Sequence, residues 1–241
     1  MERDELLAYL DAYLRIREFQ DTSLNGLQVE GSPQVHRIGA AVDAALRVFE
    51  EAKEAGVDFL IVHHGLFWGK VFPIRGHHKR RLEFLLQHGI NLYAAHLPLD
   101  AHPEVGNNVR IAQALGVVDL EPYEVGIKGR FPIPTPLSEI ADRLGQLTGM
   151  QCLVHQGGGE LVQTVTIVSG GAAGLVAQVE TDLFITGEPK HAAFHEAFER
   201  GLNVIYAGHY ETEAFGVKAL AEHLSQRFGL PWVFLDHPTG L

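Results

Sequence analysis

The chain has 241 residues, 46% hydrophobic and 20% charged, which excludes a disordered polymer and is enough for one large domain or two lobes with a sizeable core. A formal net charge of −11 argues against non-specific nucleic-acid binding, which needs clustered Lys and Arg to replace phosphate counterions. The single cysteine, Cys152, excludes an internal disulfide and a thiolate cluster, so the fourteen histidines and the carboxylates are the metal-ligand inventory.

MERDELLAYLDAYLRI sets Leu6, Leu10, Tyr13 and Leu14 at helical spacing. It is charged from its second residue and lacks the apolar core of a signal peptide. No uncharged apolar run is long enough to span a membrane, so a cytoplasmic protein is expected. Asn25-Gly26 is a turn signal. RIGAAV reads as a strand, AALRVFEEAKEAG as a helix stopped by Gly56, and DFLIV as a second strand. A loop from Gly65 to about Arg80, rich in Gly, His and basic residues, precedes a helix, RLEFLLQHG, and a strand, INLYAA. NNVRIAQALG and Pro136–Gly149 read as helices, with the stretch from 117 to 160 otherwise weakly patterned. Strand and helix then alternate again through VTIVSGG, DLFITGE, KHAAFHEAFERG, LNVIYAGH, EAFGVKALAEHLSQRFG and PWVFLDHP. The alternation predicts an α/β protein with mostly parallel sheets flanked by helices.

The two ends of the chain repeat one another. GVDFLIVHHG parallels ETDLFITGEP, and HGINLYAAHLPLD parallels RGLNVIYAGHYETE. Each half runs strand, helix, strand, and each second strand ends near a His with a carboxylate four residues on: Asp100 after His96, and Glu213 after His209. Two lobes of related topology are therefore expected from an internal duplication, 1–125 with the paired histidines and 126–241 with GHYETE. They are expected to form one compact structural unit, with too few residues between the halves for an inserted domain. In open α/β sheets ligands bind beyond the carboxyl ends of the strands, where all these polar groups lie.

The candidate site gathers His63, His64, His96, Asp100, His209 and Glu213. Imidazole and carboxylate are ordinary ligands of borderline divalent ions. Neighbouring side chains on an extended segment point to opposite sides, so His63 and His64 are expected to reach two ions rather than chelate one. Glu213 is long enough to bridge, with Asp100 on one ion and His209 on the other. His96 is either a further ligand or a residue that orients a ligand or, as a catalytic residue, moves a proton.

D-x-x-L-N-G-L-Q-V, HHG, HLPLD followed by GNN, TGE and GHYETE together resemble the Nif-three-like dinuclear metal-centre family, whose members often carry the name GTP cyclohydrolase I type 2 homologue. The resemblance runs from Asp21 to about Leu224. It implies two α/β lobes, two adjacent divalent metal ions per subunit (zinc, iron, manganese or nickel), and a ring-shaped homohexamer with its metal sites facing a cavity. Its ligands fall on His63, His64, Asp100, His209 and Glu213. It also implies a metal-dependent hydrolase acting on a nucleotide or another phosphorylated small molecule. The alternative is a non-catalytic metal-binding, metal-delivery or scaffold protein; nucleic-acid handling would need a basic lining that the sequence does not show.

Other polar residues have simpler readings. His77 to Arg81 reads as a solvated basic loop, or as a phosphate contact. His102 is an acid or base at the rim. His191 and His195 mark one partly buried helix face. Glu188, at the repeat position of His64, borders the site or holds a ligand. Asn25 and Asn107 read as turn residues, and SGGAAG as a tightly packed turn rather than a P-loop.

Overall fold

The computed structural model describes Met1–Leu241. It is a mixed α/β protein of two compact units, each built on its own sheet. The first unit comprises Met1–Leu99 and Val217–His237. It holds α1 (Arg3–Tyr13), β1 (Gly26–Val29), β2 (Ile38–Asp43), α2 (Leu46–Glu54), β3 (Phe59–His64), α3 (His77–His88), β4 (Asn91–Ala94) and the last strand, β11 (Trp232–Phe234). The sheet order is β1-β4-β3-β2-β11, parallel throughout except for β1 against β4. Phe59–Val62 are fully buried, the continuous apolar run expected of a parallel strand covered on both faces.

The second unit comprises Asp100–Gly216 and Pro238–Leu241. Its elements are α5 (Asn107–Leu115), β5 (Val118–Tyr123), β6 (Gly126–Pro136), α6 (Leu137–Thr148), β7 (Leu153–His155), β8 (Leu161–Ile167), β9 (Leu183–Thr186), α7 (Ala193–Glu199) and β10 (Asn203–Tyr206). The sheet order is β5-β6-β8-β9-β10-β7. β8, β9 and β10 form the parallel core, and antiparallel strands flank it on both sides. Two helices straddle the division between units: α4 (Leu97–Asp100) and α8 (His209–Phe228).

Matching hydrogen bonds mark the duplication. Asp58, just before β3, accepts from the N–H groups of His36 and Arg37 ahead of β2. Asp182, just before β9, accepts from Gln163 and Thr164 at the start of β8. Asn91 and Asn203 are both fully buried. Each accepts from a glycine N–H, of Gly31 or Gly158, and donates to the carbonyl of the following residue, Ser32 or Gly159.

Two linear expectations change. A break after 125 does not match the compact units, because Ile111, Ala112 and Leu115 of α5 pack in the same core as Phe131, Val165 and Ile185 of the second sheet. Residues 77–81 are not a loop but the opening turns of α3. Lys and Arg are good helix formers, and Gly76, at φ +59, turns the chain into the helix.

Candidate metal centre

Parallel register brings the carboxyl ends of the first unit's central strands level. Asp43 pairs with His64 across β2 and β3, and Val62 pairs with Ala94 across β3 and β4. The polar residues at and beyond these ends therefore cluster: Asp43, His63, His64 and His96.

Each of these imidazoles is fixed through Nδ1. His63, fully buried, donates from Nδ1 to the Ala95 carbonyl at 2.9 Å. His64 donates to Asp43 Oδ1 at 2.8 Å. His96 donates to both Asp21 oxygens at 3.0 Å, while its backbone N–H is held by Asn25 Oδ1 at 2.8 Å. A carbonyl or carboxylate oxygen only accepts, so Nδ1 carries a proton, and in the neutral imidazole that leaves Nε2 with the lone pair that ligates a metal. Burial alone pushes the Asp21 carboxyl up. Hydrogen bonds from His96, Asn25 and Ser23 outweigh it and hold the group well below the usual carboxylate range.

His63 and His64 do not diverge as neighbours on a flat strand would. Their ring centroids are 4.8 Å apart, and one ligating atom each from His63, His64 and His96 lies within 4.8 Å of the others. The anchors explain this: His63 leans on the residue after β4 and His64 on the end of β2, so both rings fan out at the same end of the sheet. Trp68 closes one side, with its ring 5.0 Å from His96 and 5.8 Å from His64 and its Nε1 donating to Gly65 O at 2.8 Å.

The second unit repeats the plan with more oxygen. His209 opens α8, and its Nδ1 donates to Glu188 Oε1 at 2.7 Å. Glu213, one helical turn on and buried, has Oε2 3.0 Å from His209 Nε2. Asp100, also buried, accepts at Oδ1 from Asn107 Nδ2 (2.8 Å) and Ser169 Oγ (3.0 Å). Asn108 ties the same turn together, donating to Asp100 O and accepting from Ser169 N. Gly170 follows at φ +67, and a Cβ there would run into Glu213 Oε1 and lie 3.2 Å from His209 Nε2. The SGG turn is thus tightly packed, as its sequence suggests, and what it packs against is the Glu213 carboxylate.

The sequence pointed to the candidate residues but not to most of the groups that hold them. Asp21 and Asn25 lie in the D-x-x-L-N-G motif but had no role at the site, and Asp43 was not singled out. A carboxylate at the tip of β2 was the available signal for Asp43. Asn107 does more than shape a turn: it joins Asp100 to the Gly216 N–H. Glu188 holds His209, one of the two roles open to it. His102 is not at a rim: it is buried, and its Nδ1 accepts from the Glu104 and Val105 N–H groups at 3.2 Å. His191 and His195 are exposed, because α7 turns the small residues Ala193 and Ala197 inward instead.

The donors fit a divalent ion. Neutral imidazoles offered at Nε2 and buried carboxylates suit borderline metals, and oxygen acceptors behind Nδ1 are the usual support of metal-bound histidine. No helix is long and apolar enough to cross a membrane.

Known proteins resemble this chain along its length. A Deinococcus radiodurans protein named GTP cyclohydrolase 1 type 2 homolog is 50% identical over 248 residues, covering 99% of this chain and 94% of its own. An Archaeoglobus fulgidus protein of the same name is 45% identical, with 100% of both covered. A crystal structure from Thermus thermophilus matches with a TM-score of 0.97 and 73% identity over 100% of both chains. The family model for Duf34/NIF3 (NGG1p interacting factor 3) matches residues 1–239, and with that span and those identities the chain belongs to the Duf34/NIF3 family.

Proposed function

We propose that this protein is a metal-dependent hydrolase holding two divalent ions through His63, His64, Asp100, His209 and Glu213, and acting on a nucleotide or another phosphorylated small molecule. One observation carries the reading: His63, His64, His96 and His209 each rest Nδ1 on an oxygen acceptor, and the Nε2 of His209 faces the buried Glu213 carboxylate at 3.0 Å. Histidines serving only as packing have no need of a common tautomer. Divalent ions in such a set supply Lewis acidity for hydrolysis near neutral pH. His96, oriented by Asp21 and Asn25, takes up or delivers a proton at Nε2. Segment 65–81 carries Lys70, Arg75, Lys79, Arg80 and Arg81 and no carboxylate in a chain of net charge −11, which supports an anionic substrate. The name shared by the relatives supports a purine nucleotide, and a homohexameric ring belongs to the same reading.

The test begins with protein purified without added metal. Elemental analysis is expected to give two equivalents per chain. A panel of nucleotides and phosphoesters is expected to contain a substrate whose turnover is abolished by chelation and restored by metal. His64→Ala is expected to lose metal and to reduce turnover by at least about a hundredfold. Metal-loaded protein inert across the panel would favour a metal-carrying protein without turnover.

A further inference from the structure

We propose that the outer edge of the second sheet, strand β7 with the groove between it and α6, is a docking site for an extended, basic peptide segment of another protein, which adds to the sheet as a further strand. A strand at a sheet edge presents unpaired N–H and C=O groups, and proteins guard such edges with charges, prolines or bulges. Three of the four edges of the two sheets are guarded in this way. β5 carries Asp119, Glu121 and Pro122 and shifts register against its neighbour. β1 shifts register between Leu27 and Val29. β11 follows Pro231 and has the Lys218 ammonium 4.1 Å over the ring of Phe234. β7 pairs with β10 alone and in unbroken register, and beyond its short length it has none of these devices. The run from Gly149 to Gly159 contains no Lys, Arg, Asp, Glu or Pro, and Leu153 and Val154 are exposed.

The space beside this edge suits an incoming main chain. α6 and β7 flank a groove of about 1020 Å³. On the helix side it is lined by Ser138, Ala141 and Gly145, small residues at helical spacing that let another backbone come close. Val154 lines the strand side. A helix beside an open edge strand lets an added strand take main-chain hydrogen bonds from the edge and side-chain contacts from the helix. The charged residues in the lining are Asp142 and Glu160, with no Lys or Arg among them. An acidic groove in a chain of net charge −11 selects Lys and Arg in its occupant and disfavours a second copy of the same chain. Leu153 and Val154 are neighbours on an extended strand and so stand on opposite faces. An added strand with basic residues on the groove face and β-branched residues on the other therefore meets both the carboxylates and Leu153.

The probe is a rhodamine-labelled peptide, Lys-Val-Lys-Val-Lys-Val with blocked ends, titrated with the full-length protein and followed by fluorescence anisotropy. Saturable binding is expected. Replacing its lysines by glutamates is expected to weaken binding by at least about tenfold. N-methylation of alternate amides can be placed in two registers. The register that removes the N–H groups facing β7 is expected to weaken binding by at least about tenfold, and the other to be tolerated. These measurements use the wild-type protein, so they need no variant to fold. Asp142→Lys/Glu160→Lys, on exposed side chains, is expected to weaken the lysine peptide by at least about tenfold, with thermal unfolding and metal content as in the wild type. Val154→Lys is expected to do the same without changing the sedimentation coefficient. No saturable binding would overturn the proposal. Equal affinity of the two methylated registers would overturn it too, because main-chain pairing to the edge would be absent. Dissociation of a wild-type assembly by Val154→Lys would also overturn it, making this edge a contact between copies of the chain.

Discussion

Gly170 shows how closely the second half of the site is built. Its φ of +67 and the carboxylate where a Cβ would go both demand glycine. The backbone alone sets about 1–2 kcal/mol against any other residue, and the collision with Glu213 adds to it. Gly170→Ala is expected to lower the unfolding free energy by that amount or more and to reduce bound metal, since relief comes only by moving Glu213. Thermal unfolding and metal content measured together check this; an unchanged metal content would mean that the turn, not the carboxylate, gives way. At this scale the clustering of the histidines and carboxylates was legible because each stands at a strand tip or in a motif. Their supports were not. Asp21 meets His96 across 75 residues and Asp43 meets His64 across 21, separations at which no local pattern connects a carboxylate to an imidazole. Nor did local geometry foresee that His63 and His64 converge, because the flat-strand rule ignores what each ring is tethered to.

Among elements, the strands and helices were readable in order because apolar runs, glycine stops and turn signals agree with the fold. Between 117 and 160 only the helix α6 was readable, since β5 and β6 form an antiparallel ribbon with exposed, charged positions and register shifts. The HHKRR stretch shows how composition misleads: basic residues suggested a loop but open α3. The staple that holds β9 beside β8 gives a test of an element. Asp182 Oδ2 accepts from the Gln163 and Thr164 N–H groups and from Thr164 Oγ1, at 2.8–3.0 Å. Partial burial raises the Asp182 carboxyl, but the backbone N–H bonds outweigh it, so its folded-state pKa lies below the ordinary value. The contribution to stability is then complete above the unfolded pKa of about 3.9 and is lost as pH falls through the lower folded value. Asp182→Ala is expected to be less stable by about 1 kcal/mol at pH 7, with the gap held to about pH 5 and closing toward pH 3. Urea denaturation at these pH values measures it; a gap as large at pH 3 as at pH 7 would show that the charge is not the cause.

For the whole molecule, two related units were legible from the repeat, whereas their membership was not. The chain leaves the first unit after Leu99 and returns to it at Val217, so β11, last in sequence, pairs with β2 near the beginning. Return of a terminal strand to a sheet begun so far back in the chain leaves no mark on periodicity. The position of Trp68 has an optical consequence. The chain has two tryptophans, and the other, Trp232, pairs with Ile38 at the opposite end of β2 from Asp43, roughly 16 Å along the strand. Trp68 is therefore a built-in fluorophore for the imidazole cluster. Addition of copper(II) or nickel(II) is expected to quench most of the emission of a Trp232→Phe variant and little of that of Trp68→Phe. Loading can then be followed in real time without a label.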